Sequence, residues 1–107
     1  GEPTRLLAEG DAIEVGDICL QVIETPGHTP GGIVLFAATE QGNIAFVGDT
    51  LFPGSHGRTD LAGGDEAAIL RSLSKLAHML PPDTVCLTGH GPSTTMAREL
   101  MCNPFMR

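Results

Sequence analysis

Large aromatic side chains are scarce in this chain of 107 residues, which has no tryptophan, no tyrosine and four phenylalanines. The core must therefore be aliphatic, with Phe36, Phe46, Phe52 and Phe105 as its only aromatics. Basic residues are also few, because six Lys and Arg stand against thirteen Asp and Glu, for a net charge of −7. Nucleic acids and anionic membranes both need basic clusters on the protein, so we expect neither as a partner.

Long apolar runs and paired cysteines are missing as well. No run approaches the roughly 20 residues that a membrane-spanning helix needs, and the acidic N-terminal sequence does not resemble a signal peptide. Cys19, Cys86 and Cys102 are odd in number and form no Cys-x-x-Cys pair. This usage is typical of a reduced, cytoplasmic protein whose thiols fill the core or are bystanders. The length fits a single domain over residues 1–107.

The first half of the sequence predicts two β-hairpins. Apolar residues 12–15 and 18–25 flank Gly16-Asp17, and residues 32–37 and 43–47 flank the turn sequence "ATEQG". Residues 51–64 are rich in glycine and polar side chains, which favours an ordered loop.

The second half predicts helix, strand and helix. Asp65 can cap a helix in which Leu73, Leu76 and Leu80 share one face, and Pro81-Pro82 should end it. A short strand at 84–88 follows. A last helix is expected from Pro92 through about Met101. The fold class is α/β (α+β), with one mostly antiparallel sheet and two helices on one face.

Three of the predicted strands are continuously apolar rather than alternating: "IVLFA", "IAFV" and "VCL". Strands of this kind are usually covered on both faces. Two helices suffice for only one face of such a sheet. We therefore expect something else to cover the other face.

Three potential metal ligands stand just past the ends of apolar runs. They are His28 after residues 18–25, Asp49 after 43–47 and His90 after 84–88. If those runs are neighbouring strands, the side chains collect at one sheet edge, where layered α/β proteins place ligand sites. Two imidazoles and a carboxylate suit zinc, iron or manganese.

The segments "ETPGHTPGG", "FVGDTLFPGSHGRTDLAGGD" and "TGHGPSTTMARELMCNPF" together resemble the metallo-β-lactamase superfamily, in its hydroxyacylglutathione hydrolase (glyoxalase II-like) branch. The resemblance implies an αββα sandwich. It also implies that His28 is a ligand of a first metal ion, that Asp49 bridges two ions, and that His90 binds the second. The family's upstream His-x-His-x-Asp-His motif does not occur here, so the resemblance covers the C-terminal half of that fold.

The resemblance implies that this chain is the C-terminal part of a metal-dependent hydrolase that acts on thioesters or related esters. Zinc is the expected metal, with two divalent ions in the intact fold, and iron or manganese are alternatives. The expected partners are a small-molecule thioester and, over the open sheet face, either the missing N-terminal half or a second copy. The alternatives are a non-catalytic partner-binding module and a single-iron persulfide dioxygenase of the same fold.

Other polar residues near these motifs have structural interpretations. Arg58 and Asp60 in "GRTD" are predicted to form a buried ion pair that fixes the loop beside the site. His56 is expected to line the pocket at most, and His78 to be exposed on the first helix.

Overall fold

The structure, a computed structural model, describes residues 8–106. Its elements in chain order are β1 (Ala12–Val15), β2 (Ile18–Glu24), β3 (Ile33–Thr39), β4 (Gly42–Gly48), β5 (Leu51–Phe52), β6 (Ser55–His56), α1 (Glu66–Met79), β7 (Val85–Thr88), β8 (Thr94–Thr95) and α2 (Met96–Cys102).

Six of the strands form one sheet in the order β1-β2-β3-β4-β7-β8. All neighbouring strands are antiparallel except β4 and β7, which run parallel because α1 forms the crossover between them. Both predicted hairpins are present, with Val15 paired to Ile18 and Thr39 to Gly42. The predicted fold class is therefore confirmed.

Helix α1 begins and ends as the sequence predicts. The Asp65 carboxylate accepts a hydrogen bond from the backbone N–H of Ala68 at 3.0 Å, which satisfies one of the unpaired donors of the first turn. The helix ends at Met79, just before Pro81 and Pro82. Its buried side chains pack on the sheet. Neither helix in residues 8–106 has the length and apolar character needed to cross a bilayer.

The hydrophobic core lies between the two helices and one face of the sheet, which we call the covered face. Its strand residues alternate with residues on the opposite face, as the two-residue repeat of a strand requires. The residues that pack together in this core are aliphatic or sulfur-containing, and they include Ile23, Val34, Ala45, Val47, Leu51, Leu73, Leu76, Cys86 and Met96.

The opposite face of the sheet, the open face, is apolar but has no covering layer among the described residues. Ladder pairing places these side chains next to one another: Leu35 pairs with Phe46, Ile44 with Val85, and Phe46 with Leu87. Phe46 is 44% exposed, and Val85 and Leu87 are each 38% exposed. The prediction that Phe46 is a core aromatic is wrong in this chain, because its position on β4 points it to the open face. The same prediction is wrong for Phe105, which is 39% exposed.

Two local predictions are also wrong. Residues 51–64 are not all loop, since β5 and β6 pair as a short hairpin. The last helix begins at Met96 rather than Pro92, because Thr94 and Thr95 first form strand β8 against β7. Thr95 then caps the helix by accepting a hydrogen bond from the backbone N–H of Arg98 at 3.2 Å.

Candidate metal centre

The three predicted ligands lie in loops at the same edge of the sheet. Strands β2 and β4 run in the same direction because antiparallel β3 lies between them, and β7 runs parallel to β4. The carboxyl ends of all three strands therefore meet at one edge. His28 follows β2, Asp49 directly follows β4, and His90 follows β7.

The Asp49 carboxylate lies between the two imidazoles and presents one oxygen to each. Asp49 Oδ2 is 3.7 Å from His28 Nε2, and Asp49 Oδ1 is 3.1 Å from His90 Nδ1. The His90 side chain is 85% exposed, whereas those of Asp49 and His28 are 39% and 27% exposed. The site thus opens to solvent on the His90 side.

The orientation of His28 is fixed by a backbone carbonyl. Its Nδ1 lies 2.7 Å from the carbonyl oxygen of Arg58. A carbonyl can only accept a hydrogen bond, so Nδ1 must carry the proton. In the neutral ring this leaves the lone pair on Nε2, the nitrogen that faces Asp49. Metal-binding histidines are commonly oriented in this way.

Two glycines allow the backbone to approach Asp49 closely. A Cβ atom at Gly57 would lie 1.9 Å from the Asp49 carbonyl oxygen, and one at Gly89 would lie 2.9 Å from Asp49 Oδ1. The backbone N–H of Gly89 also donates to the Gly48 carbonyl at 2.9 Å. Any side chain at these positions would displace the carboxylate or its loop.

The predicted ion pair between Arg58 and Asp60 is present but exposed. Nε and Nη2 of Arg58 donate to the two carboxylate oxygens of Asp60 at 2.7 and 2.8 Å. The side chains are 60% and 67% exposed, so the prediction of a buried pair is wrong. The hydrogen bonds from Arg58 lower the pKa of Asp60 to about 2. What reaches the site from Arg58 is its backbone carbonyl, which sequence reasoning missed.

The His56 side chain is largely buried between Phe105 and Glu66 and does not line an open pocket. Its ring meets Phe105 edge-on with centroids 4.5 Å apart, and its Nε2 lies 3.3 Å from Glu66 Oε1. The side chain is 9% exposed. His78 is exposed, as predicted, and its Nδ1 donates to the Ser74 carbonyl at 2.7 Å.

The donor set fits a borderline divalent ion, but it is not sufficient alone. Imidazole nitrogen and carboxylate oxygen are ligands of zinc, iron and manganese. Within residues 8–106, however, no three His, Cys, Asp or Glu side chains are placed to hold one ion by themselves. Instead, each imidazole faces its own oxygen of the Asp49 carboxylate. Two ion positions with two ligands each match this arrangement, and the ligand roles of His28, Asp49 and His90 stay predictions.

Comparison with known proteins identifies the family. The sequence profile described as the metallo-beta-lactamase superfamily matches residues 2–90. The chain belongs to the metallo-beta-lactamase superfamily. The resemblance noted from its three motifs is confirmed at this level.

Individual relatives share the sequence over nearly the whole chain. An uncharacterized protein of Aquifex aeolicus (strain VF5) is 42% identical over 104 residues, which cover 97% of this chain and 48% of that protein. The hydroxyacylglutathione hydrolase GloC of Haemophilus influenzae is 35% identical over 98 residues, covering 92% and 45%. The chain therefore spans about half the length of the curated relatives it matches.

Among solved structures, the chain is similar to TTHA1623 in a di-iron-bound form. The TM-score is 0.81 at 40% sequence identity, covering 98% of this chain and 50% of that one. The likeness supports the fold described above. It also shows that a similar protein binds two metal ions.

Proposed function

We propose that this chain supplies His28, Asp49 and His90 to a two-metal site of a hydrolase that acts on thioesters or related esters. The observation behind the proposal is the Asp49 carboxylate, whose oxygens face one imidazole each at 3.7 and 3.1 Å. Two cations a few ångströms apart repel each other, and a shared carboxylate offsets that repulsion. The similarity to a hydroxyacylglutathione hydrolase supports the thioester substrate class.

Zinc is the metal that we propose, because imidazole and carboxylate oxygen are its common catalytic ligands and it carries no redox chemistry into a hydrolysis. Bound metal would activate water and polarise the ester carbonyl. This chain's own residues would orient the metal ligands. Arg58 orients the His28 ring through its carbonyl, and the Asp49 carboxylate would hold one ion on each oxygen.

The proposed ligands can be tested by zinc calorimetry on the 107-residue chain and its variants. His28→Ala and His90→Ala should each lower zinc affinity at least about 10-fold, because each removes one of two ligands at its position. His78→Ala is the matched control, since His78 is exposed on α1 and should leave binding unchanged. Equal binding by all four proteins would remove His28 and His90 from the site.

Catalysis should require more ligands than this chain contains. We expect little or no turnover of S-lactoylglutathione by the 107-residue chain with added zinc or manganese, because two ligands per ion leave each position incomplete. Robust turnover that is abolished by Asp49→Ala would contradict this expectation. It would mean that the site is completed between copies of the chain.

The remaining ligands would come from the polypeptide that covers the open face. We propose an N-terminal half of the same fold as that layer, since the matched relatives are about twice as long as this chain. A second copy is the alternative occupant. Co-expression with the N-terminal half of one of these longer relatives should give a stable complex that turns over the thioester.

A further inference from the structure

Glu99 is a fully buried carboxylate that the proposed chemistry does not use. It lies on α2 and is 0% exposed. Burying a carboxylate is unfavourable unless hydrogen bonds replace its water. Three donors do so here. Thr94 Oγ1 donates to Oε2 at 2.7 Å, while the Gly54 backbone N–H and Asn103 Nδ2 both donate to Oε1 at 2.9 Å.

These contacts fasten the turn between β5 and β6 to the C-terminal helix. Glu99 binds the N–H of Gly54, and Asn103 Nδ2 also donates to the carbonyl of Ser55 at 3.0 Å. Strands of two residues each are too short to be stable alone. Leu51 of β5 is buried in the core, so the hydrogen bonds from Glu99 and Asn103 act on the other part of the hairpin, at Gly54 and Ser55.

Asn103 also contacts the same hairpin indirectly, through Phe105. Its Oδ1 accepts a hydrogen bond from the backbone N–H of Phe105 at 2.9 Å. The Phe105 ring packs edge-on against His56, the last residue of β6. The buried side chain of Asn103 thus contacts β6 twice, directly at Ser55 and through Phe105 at His56.

The hairpin leads directly into the residues that orient His28. Gly57 follows β6, and its N–H donates to the Thr50 carbonyl at 3.2 Å. Arg58 comes next and presents its carbonyl to His28 Nδ1 at 2.7 Å. A displaced hairpin would move this carbonyl away from the ring.

We propose that Glu99 and Asn103 are positioning residues that set the ring tautomer of His28 through residues 54–58. With the loop anchored, the Arg58 carbonyl keeps the proton on Nδ1 and leaves Nε2 directed at Asp49. Without the anchor, the ring is free to rotate and to exchange tautomers. The effect on metal binding rests on the proposed function, whereas the effect on the tautomer does not.

Asn103→Asp is the most direct test, because it preserves shape and replaces the donor with an oxygen facing Glu99 and the Ser55 carbonyl. Nitrogen-15 NMR of the metal-free 107-residue chain should show His28 changing from protonated Nδ1 to a mixture of tautomers. Zinc affinity should fall roughly 10- to 100-fold, the range for groups that orient a metal ligand. Asn43→Asp is the matched control, since Asn43 bonds Asp83 away from this loop. A folded Asn103→Asp chain with unchanged His28 signals would overturn the proposal.

A gentler pair of substitutions covers the possibility that Asn103→Asp does not fold. Thr94→Val removes the donor to Glu99 Oε2 and should loosen the tautomer preference of His28. Thr84→Val is its control, because Thr84 Oγ1 is buried without a hydrogen-bond partner in the described part of the chain. Glu99→Gln should preserve the preference, since its amide oxygen can replace Oε1 and its NH₂ can donate to Thr94. A Thr94→Val spectrum identical to that of Thr84→Val would contradict the proposal.

The ligand role of His28 and the positioning role of Glu99 and Asn103 can be contradicted separately. If His28→Ala binds zinc as well as the parent does, the ligand role of His28 is wrong, yet the tautomer change in Asn103→Asp would still support positioning. If zinc binding depends on His28 but no anchor variant alters the ring signals, the positioning role is wrong and the ligand role stands.

Discussion

The two faces of the six-stranded sheet have similar chemistry and opposite environments. Val47 and Phe46 are neighbours on β4, and Cys86 and Leu87 are neighbours on β7. Val47 and Cys86 are 0% exposed beneath the helices, whereas Phe46 and Leu87 are 44% and 38% exposed. Apolar character is therefore no guide to which face is covered in this chain. The helices cover one face. The open face is also apolar and could pack against a second layer.

Substitution by aspartate should separate the two faces most sharply. Val47→Asp places an unpaired charge in the core and should cost about 4 kcal/mol or more, enough to unfold a domain of ordinary stability. Leu87→Asp on the open face should change the free energy of unfolding by about 1 kcal/mol or less. Circular dichroism and urea titration measure both. Equal loss of structure would show that folding needs the open face to be covered.

Association should be the next largest effect, and it follows from the open face. At about 25 cal/mol per Å², covering ~300 Å² of apolar surface contributes about 7 kcal/mol, similar to the net stability of a domain. We expect the chain to associate, either with an N-terminal half or with another copy. Light scattering on pure protein, checked for co-purifying fragments, measures this. A stable, well-folded monomer at micromolar concentration would contradict it.

Substitutions can locate the associating surface. Phe46→Glu should shift the chain towards monomer by placing a charge on the open face. Leu70→Glu is the control, because Leu70 is 40% exposed on α1 and lies outside that face. If both substitutions dissociate the protein equally, the open face is not the interface.

Much of the site could be predicted because the position of each expected ligand depends on the direction in which its strand runs. Each expected ligand follows an apolar run, and the hairpins and the crossover helix make the carboxyl ends of β2, β4 and β7 coincide. The open face was foreseeable from the count of helices. Which residues face it required the ladder register, because "IAFV" and "VCL" show no alternation of apolar and polar residues.

The remaining features have no distinct sequence signal. Glu99 lies in a helix among residues that could equally face solvent, and only the packing of α2 on the β5–β6 hairpin reveals its burial. The backbone carbonyl of Arg58 is invisible to any analysis of side chains. Strand β8 was missed because Pro92-Ser93-Thr94 also suits a helix start.

The reactivity of the three cysteines should also differ between buried and exposed positions, although this effect is smaller. Burial, with a contribution from the nearby charge of Glu99, raises the pKa of Cys86 to about 11 from an ordinary 9.0. Cys19 and Cys102 are exposed. Near pH 8 a thiol reagent should modify two cysteines quickly, and Cys86 at least about 100-fold more slowly, since the thiolate is the reacting form. Three equal rates would show that the covered face opens readily.

The same shift predicts a change of stability with pH. The folded chain keeps the Cys86 proton up to pH about 11, whereas the unfolded chain releases it above about 9.0. The free energy of unfolding should therefore fall between pH 9 and 11. Denaturation of the parent and of Cys86→Ala at several pH values measures this contribution. The same decline in Cys86→Ala would assign it to other groups.

The exposed ion pair of Arg58 and Asp60 lies on neither face of the sheet. We expect it to make the smallest contribution to the free energy of unfolding. Because the pKa of Asp60 is lowered to about 2 from 3.8, its contribution is present above pH 4 and is lost as the pH falls through about 2. Solvent screening should keep that contribution small. Asp60→Asn should leave the unfolding midpoint near pH 7 almost unchanged. A large decrease would show that the side-chain pair also holds the Arg58 carbonyl in place.

The position of β3 between β2 and β4 sets a minimum reach for the loop that contains His28. Strands lie about 4.8 Å apart, so the end of β2 is about 10 Å from the end of β4, where Asp49 begins its turn. An extended chain advances about 3.3 Å per residue, so the four steps from Glu24 to His28 span at most about 13 Å, enough to cross this gap. His90 starts from the adjacent strand and needs no such span. Removing one residue would reduce that maximum to about 10 Å, with no allowance for the turn in which the Gly27 N–H bonds the Thr29 carbonyl, so we expect His28 then to fall short of Asp49.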